Sequence, residues 1–176
     1  MIRITGGEYR SRLLLTPDTE LTKPTMDKVR AAVFSALSLD KIDKVLDLFS
    51  GSGSYGFEAL SRGAKEVYFV DHSPKAIDVI KKNAKSLNIE NINIILSDVV
   101  SYLKTCDGKF NIIFVDPPYK LEVYEEVVSL IIKRDLLTSN GIIVLEADKE
   151  LNLDSSVFKK VKDYKYGLTR IYILRK

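Results

Sequence analysis

The chain predicts an α/β fold: a seven-stranded, mostly parallel sheet with helices on both faces, and a small N-terminal β-hairpin arm. Three observations predict it. From about Lys44 onward, short apolar runs alternate with stretches of helical period. The apolar runs are nearly continuous, as strands buried on both faces are. The tail from Val157 to Arg175 instead alternates around Gly167, which predicts two further strands.

Each element has its own signal. Residues 1 to about 40 form a first zone, in which Gly6-Gly7 suggests a hairpin-like arm over about 1–25. Val45 to Phe49 predicts a buried strand, followed by a Gly/Ser turn and a helix through Phe57 to Leu60. Glu66 to Asp71 is a second strand. Ser73-Pro74 starts the next helix with an N-cap and a proline at the first helical position. That helix carries Ala76, Ile77, Ile80, Ala84 and Leu87 on one face. Asn93 to Leu96 is a third strand, followed by a short helix through Val99-Val100 and Tyr102-Leu103. Phe110 to Val115 is the most apolar strand and stops at Asp116-Pro117-Pro118. Glu122 to Leu137 has a helical pattern, and Ile142 to Leu145 is a fifth strand, entered through Asn140-Gly141.

The length, 176 residues, suits one domain over 1–176. Hydrophobic residues are 45% and charged residues 29%, which argues against wholesale disorder. Lys and Arg total 27 against 24 Asp and Glu, and a net charge of +3 does not by itself predict nucleic-acid binding. Cys106 and His72 are the single Cys and His, which argues against a disulfide framework and a protein-built metal site. No apolar run approaches the ~18–20 residues of a membrane span. The first residues lack a signal-peptide stretch. A cytoplasmic location, no membrane, no metal and a monomer are expected.

In parallel sheets, ligands bind outside the carboxyl ends of the strands, at the switch point. Asp71, Asp98, Asp116 and the turn after Phe49 end strands and are expected to face one crevice. Gly51-Ser-Gly53-Ser-Tyr-Gly56 has G-x-G-x-x-G spacing between a strand and a helix. Asp71 lies at the end of the next strand, where a carboxylate can accept from both ribose hydroxyls of an adenosine. The alternative is a plain βα turn, with Asp71 capping the helix near Ser73. Asp47, inside the strand before Gly51, leans away from a dinucleotide and can meet a cationic amino acid moiety, as S-adenosylmethionine carries. Asp98 can accept from the adenine amino group or cap the helix after it.

Asp116-Pro117-Pro118-Tyr119 follows an apolar strand. The prolines force an ordered exit and leave the Pro117 and Pro118 carbonyls free to accept. A carboxylate, carbonyls and an aromatic ring suit a planar base with an exocyclic amino group. Tyr119 can stack on the ring, while Asp116 and the Pro117 carbonyl accept the two N–H hydrogens. Such acceptors stabilise the positive charge that develops on the attacking nitrogen. The alternative is a rigid strand stop with a solvated Asp116.

Asp47-Leu-Phe-Ser-Gly51-Ser-Gly53 followed by Asp116-Pro-Pro-Tyr119 resembles a class I S-adenosylmethionine-dependent amino-methyltransferase, with its Rossmann-like fold. Three further blocks resemble the RsmD family: Arg3-Ile-Thr-Gly6-Gly7-Glu-Tyr-Arg10-Ser-Arg12, Lys23-Pro24-Thr25-Met-Asp27-Lys28-Val29-Arg30, and Glu58-Ala-Leu-Ser-Arg62-Gly63-Ala64. These bacterial enzymes methylate the N2 amino group of a guanine in 16S ribosomal RNA. The resemblance implies that Asp47, Gly51, Gly53, Asp71, His72, Asp98 and Val99 hold S-adenosylmethionine, with Thr25 and Asp27 near its methionine end. It implies that Asp116, Pro117 and Tyr119 handle the target amine. Arg3, Arg10, Arg12, Lys23 and Pro118 would meet RNA, in ribosomal RNA or a 30S particle. Arg62 is structural or functional. The chain departs from the family's usual Arg-Gly-Arg at Ser11, and has Lys23 and Lys28 where Arg is usual.

Before position 31, six basic residues, Arg30 among them, outnumber four acidic ones. The arm can therefore grip phosphates or be an ordinary solvated surface. In the tail, Lys159, Lys160, Lys162, Lys165, Arg170, Arg175 and Lys176 face Asp163 alone. That excess fits phosphate binding, or lysines that protect an edge strand. The same motifs leave open a DNA amino-methyltransferase, a nicotinamide-dependent oxidoreductase, and a non-catalytic RNA-binding protein.

Overall fold

A computed structural model describes residues 1–17, 24–37, 41–118 and 120–176, with the side chains of all of these except 24 and 25. The arm is a short antiparallel hairpin of β1 (Ile2–Arg3) and β2 (Leu13–Leu14), paired Ile2 to Leu14 and Arg3 to Leu13. It is not a loose tail, because Ile2, Ile4 and Leu14 are buried in the main core. Helix α1 (Pro24–Leu37) follows, with Val29, Val33, Phe34 and Leu37 buried.

The sheet is built from β3 (Lys44–Leu48), β4 (Glu66–Asp71), β5 (Ile92–Leu96), β6 (Phe110–Val115), β7 (Leu137–Ala147), β8 (Lys160–Tyr166) and β9 (Thr169–Arg175). Among the described residues the strand order is β5-β4-β3-β6-β7-β9-β8. The first five are parallel, and β9 runs antiparallel between β7 and β8. Four helices connect them: α2 (Ser54–Ser61), α3 (Pro74–Leu87), α4 (Val99–Thr105) and α5 (Tyr124–Lys133). The arm, α1, α2 and α3 pack on one face around Phe57, Phe69 and Phe114. On the other face α4 and α5 pack around Leu46, Leu103, Phe110 and Ile131. Each such fully buried side chain contributes roughly 1.5–3 kcal/mol. Strand order reverses between β3 and β6, which sets a crevice beyond their carboxyl ends.

Two boundaries differ from the sequence reading. The helix predicted over Glu122 to Leu137 ends at Lys133. Asp135 takes a left-handed φ of 53°, and Leu136 N bonds back to Ile131 O at 3.0 Å, closing the helix. Leu137 then starts β7, and the register jumps from Phe110–Leu137 to Ile112–Ile142. Asn140-Gly141 therefore lies in an irregularity inside the strand and is not its entry.

The glycines of the arm are explained by α2. Gly7 has φ of 78°, and a Cβ there would lie 1.7 Å from Ser61 O. Only glycine allows Glu8 N to donate to Ser61 O at 2.7 Å and Tyr9 N to donate to Ser61 Oγ at 2.9 Å. Glu58, fully buried, completes the clamp. It accepts from Thr5 N at 2.8 Å, Thr5 Oγ1 at 2.7 Å and Arg62 Nε at 2.8 Å. Arg62 is thus structural, and its guanidinium also lies 5.1 Å from the centre of the Phe34 ring. Burial alone would raise the Glu58 pKa; Thr5, Arg62 and Arg30 outweigh it and hold it below the usual range.

Candidate active site

The turn after β3 is fixed from both sides. Ser50 Oγ donates to Asp47 O at 2.6 Å and to Val70 O at 3.1 Å. Gly51 N donates to Asp71 Oδ2 at 2.9 Å, and Ser73 N to Asp71 Oδ1 at 2.8 Å. Asp71 therefore both orients the glycine turn and fixes Ser73, the residue before α3, which leaves each oxygen one further acceptor site. The glycines divide the work. A Cβ on Gly56 would lie 2.2 Å from the Phe69 ring, so that glycine serves packing. A Cβ on Gly51, at φ 54°, would meet nothing closer than Phe49 O at 4.0 Å. Its bare backbone faces open space, the cradle that a ligand approaching the turn needs.

Asp47 is buried, and its Oδ2 accepts from Gly56 N at 2.9 Å. Burial first, and the charge of Asp71, push its pKa up to about 8, against the pull of that hydrogen bond. Asp98 is exposed and caps α4, accepting from Ser101 N at 2.8 Å. That bond holds its pKa down, with the His72 charge a smaller contribution. His72 is exposed, with Nδ1 3.6 Å from Asp71 Oδ1. Val99 is buried in the first turn of α4.

Asp116 stands at the end of β6, half-buried, and among the described residues nothing donates a hydrogen bond to its carboxylate. Pro117 is buried and its carbonyl has no donor among them either. The Pro118 carbonyl, expected to be free, accepts from Leu121 N at 2.8 Å, because the chain turns there. Asp47, Asp116 and Glu146 project from one face of the sheet, since Asp47 pairs with Phe114 and Glu146 lies one residue past the Val115–Leu145 pair. Tyr55 stacks on Phe114 at 4.7 Å and donates to Glu146 Oε2 at 2.7 Å. Burial, then Glu146, then Asp47 raise the Asp116 pKa well above the usual carboxylate range.

The remaining expected residues divide by position. Arg3 and Arg12 are exposed but bound to backbone, Arg3 Nη1 to Ser11 O at 3.3 Å and Arg12 Nη2 to Ser86 O at 2.7 Å. Arg10 is exposed. Arg30, counted above with the basic arm, is buried and committed to Asp27 Oδ1 at 2.8 Å, to Glu58 and to Arg3 O, so it cannot meet phosphate. Tyr119, Lys23 and the Thr25 side chain lie outside the described residues. Among the described residues no cluster of His, Cys, Asp and Glu could hold a metal ion, and no helix is long and apolar enough to cross a membrane.

The family model for conserved hypothetical protein 95 matches residues 2–175. The chain belongs to that family, the one its motifs resemble. It is 35% identical over 153 residues to "Ribosomal RNA small subunit methyltransferase D" of Escherichia coli, covering 86% of this chain and 77% of that protein. A solved hypothetical protein of Thermus thermophilus superimposes with a TM-score of 0.86 at 25% identity, over 100% of both chains. The ribosomal protein L11 methylase of Lactobacillus delbrueckii shares the fold, with a TM-score of 0.68 at 20% identity, over 96% of this chain and 88% of that one. The fold is that of class I methyltransferases.

Family membership makes sense of one departure. Ser11, which departs from the glycine the resemblance implies, sits at φ 72°. The serine keeps a glycine conformation at a cost in strain. Sequence reasoning missed three residues near the site: Glu146, Tyr55 and Asn83. Glu146 ends an apolar strand as Asp116 does, and the same rule would have found it. Asn83 sits among the apolar positions of α3, and its Nδ2 donates to Ser52 O at 3.0 Å. Nothing local distinguishes it, nor Tyr55.

Proposed function

We propose that the protein transfers the methyl group of S-adenosylmethionine to the exocyclic N2 of a guanine in small-subunit ribosomal RNA, on free 16S RNA or a 30S particle. The observation that carries this is the pair of open acceptors, the Asp116 carboxylate and the Pro117 carbonyl, side by side at the strand switch. The name of the Escherichia coli relative supports the substrate. Residues 1–176 are read as one catalytic unit, working as a cytoplasmic monomer.

The residues fit S-adenosylmethionine. Gly51 offers bare backbone, Asp71 offers an oriented carboxylate to the ribose, and Asp98 is exposed for the adenine amine, beside His72 and Val99. Asp47 fixes the turn through Gly56 N and lies beneath the place for the amino acid moiety, whose positive charge would favour its ionised form. When bound, the cofactor supplies an electrophilic methyl that needs no activation by the protein. The protein's work lies at the nucleophile. The exocyclic nitrogen has its lone pair delocalised into the base, and acceptors for both N–H hydrogens favour a pyramidal nitrogen. Asp116 and Pro117 O take those hydrogens, Tyr119 stacks on the base, and Asp116 accepts the proton the nitrogen loses. Alignment of this kind is worth up to about 7–11 kcal/mol. Arg3, Arg10, Arg12, Lys23 and Pro118 are assigned to RNA contact. A base-paired N2 is out of reach, so the guanine enters unpaired or flipped.

The test is incubation with labelled S-adenosylmethionine and unmodified 30S particles, naked 16S RNA or DNA, with Asp116→Ala as control. Label in N2-methylguanine of ribosomal RNA, lost in the variant, is the expected result. Label in DNA, or none in any RNA despite cofactor binding, would overturn the assignment.

A further inference from the structure

Glu146 pairs with Ile171 on β9, and Ile171 pairs with Tyr164 on β8. Asp116 lies next to Glu146, one residue past the Val115–Leu145 pair. Asp116, Glu146, Ile171 and Tyr164 therefore form one row across the sheet. Partners in register point to the same face, and strands lie about 4.8 Å apart, so Tyr164 stands about 14 Å from Asp116 on its own face. Tyr166 shares that face and lies nearer the carboxyl rim, where Gly167 and the 89%-exposed Leu168 turn into β9.

The two rings stack, with centroids 6.4 Å apart and planes at 26°. Lys162 Nζ lies 5.8 Å from the centre of the Tyr164 ring. Both tyrosines are half-buried against the core, and among the described residues neither hydroxyl has a hydrogen-bond partner. Lys159, Lys160, Lys162 and Lys165 make no ion pair among the described residues, while the Asp163 carboxylate is taken by Arg170 at 2.6 Å. Lysines alone would guard an edge strand. Guarding an edge does not call for stacked rings in line with the acceptor of the target amine.

We propose that Tyr164 and Tyr166, with Lys162, form a stacking platform for unpaired RNA bases next to the methylated guanine. This rests on the ribosomal RNA reading above. Pulling a guanine out of its stack leaves neighbouring bases without partners, and aromatic faces replace them whatever the base, while lysine neutralises the phosphates between.

The experiment is steady-state methyl transfer to whichever ribosomal RNA form the wild type modifies, with ultraviolet cross-linking of the same RNA. The Tyr164→Ala/Tyr166→Ala double variant should raise the KM for RNA about tenfold or more. Its kcat should change far less, and cofactor affinity by calorimetry not at all. Tyr164→Phe should stay within about twofold, because the ring remains. Cross-links should fall on the peptide carrying Tyr164 and Tyr166. An unchanged KM in the double variant, or cross-links confined to other segments, overturns the platform. Should the double variant melt well below the wild type, the cross-link map and the KM of Lys162→Gln decide instead; an unshifted Lys162→Gln KM with no cross-link at the tyrosines overturns it. A wild type that methylates no ribosomal RNA overturns the proposed function itself, a result distinct from a platform failure on an active enzyme.

Discussion

Tyr55 donates a 2.7 Å hydrogen bond to Glu146 across 91 residues of sequence, joining the helix after the glycine turn to the strand beside Asp116. Burial raises the Glu146 pKa, the bond from Tyr55 opposes that rise, and the Glu146 charge in turn raises the pKa of Asp116. In the proposed mechanism Asp116 is an acceptor, so the rate should rise with pH through its raised pKa. Glu146→Gln removes one of the causes of that rise. The acid limb of the kcat/KM profile should move to lower pH. An unmoved limb would show that Glu146 does not govern Asp116.

Tyr55→Phe should leave the stacking on Phe114 intact and strip a donor from a buried carboxylate. The expected loss is about 1–3 kcal/mol of unfolding free energy. Urea unfolding of both proteins measures it.

Asp47 gives a pH dependence of stability. Its folded pKa, about 8, lies above the ordinary carboxylate value, so the folded state holds a proton that the unfolded chain releases. Its favourable contribution is therefore complete below about pH 4 and is lost as pH rises towards 8. Asp47→Asn keeps an acceptor for Gly56 N and carries no charge. The variant's stability relative to wild type should grow by about 2 kcal/mol or more between pH 5 and pH 8. A constant difference across that range would contradict the burial of an ionisable Asp47.

Glu58 has the opposite sign. Its folded pKa is lowered, so its contribution is present above the ordinary glutamate range and fades as pH falls through the lowered value. Glu58→Ala leaves Arg30 buried without one partner and frees Thr5. It should cost about 3–5 kcal/mol at neutral pH, and less in acid. Faster hydrogen exchange at Thr5 N should accompany the loss.

Ser11→Gly should stabilise the protein by up to about 1 kcal/mol, since glycine occupies φ 72° without strain. Thermal unfolding reads this directly, and a lower melting temperature would show that the serine is not strained.

Much of this was legible in the sequence because it is local. Strand runs from Val45 to Val115, the proline stop after Asp116 and the Ser73-Pro74 helix start each follow from neighbouring residues. The end of α5 was missed because Leu136 and Leu137 continue an apolar period, while the left-handed Asp135 that breaks it has no side-chain signature there. The site was half legible. Asp47, Gly51, Asp71 and Asp116 end strands or shape a turn, and motif spacing marks them. Tyr55 meets Glu146, and Arg30 meets Glu58, only through tertiary packing. Arg30 looked like a surface charge for that reason, since a buried ion pair and a solvated cation are spelled alike.

Asn83 ties two regions together. Its carboxamide accepts from Leu15 N at 2.8 Å and donates to Leu15 O at 3.1 Å and to Ser52 O at 3.0 Å. One side chain thus pins the end of the arm to the glycine turn. If RNA stiffens the arm and thereby raises cofactor affinity, cofactor must raise RNA affinity by the same factor. The two ligands would then report on each other through a single amide, and replacing it would uncouple them while leaving both of their contact surfaces in place.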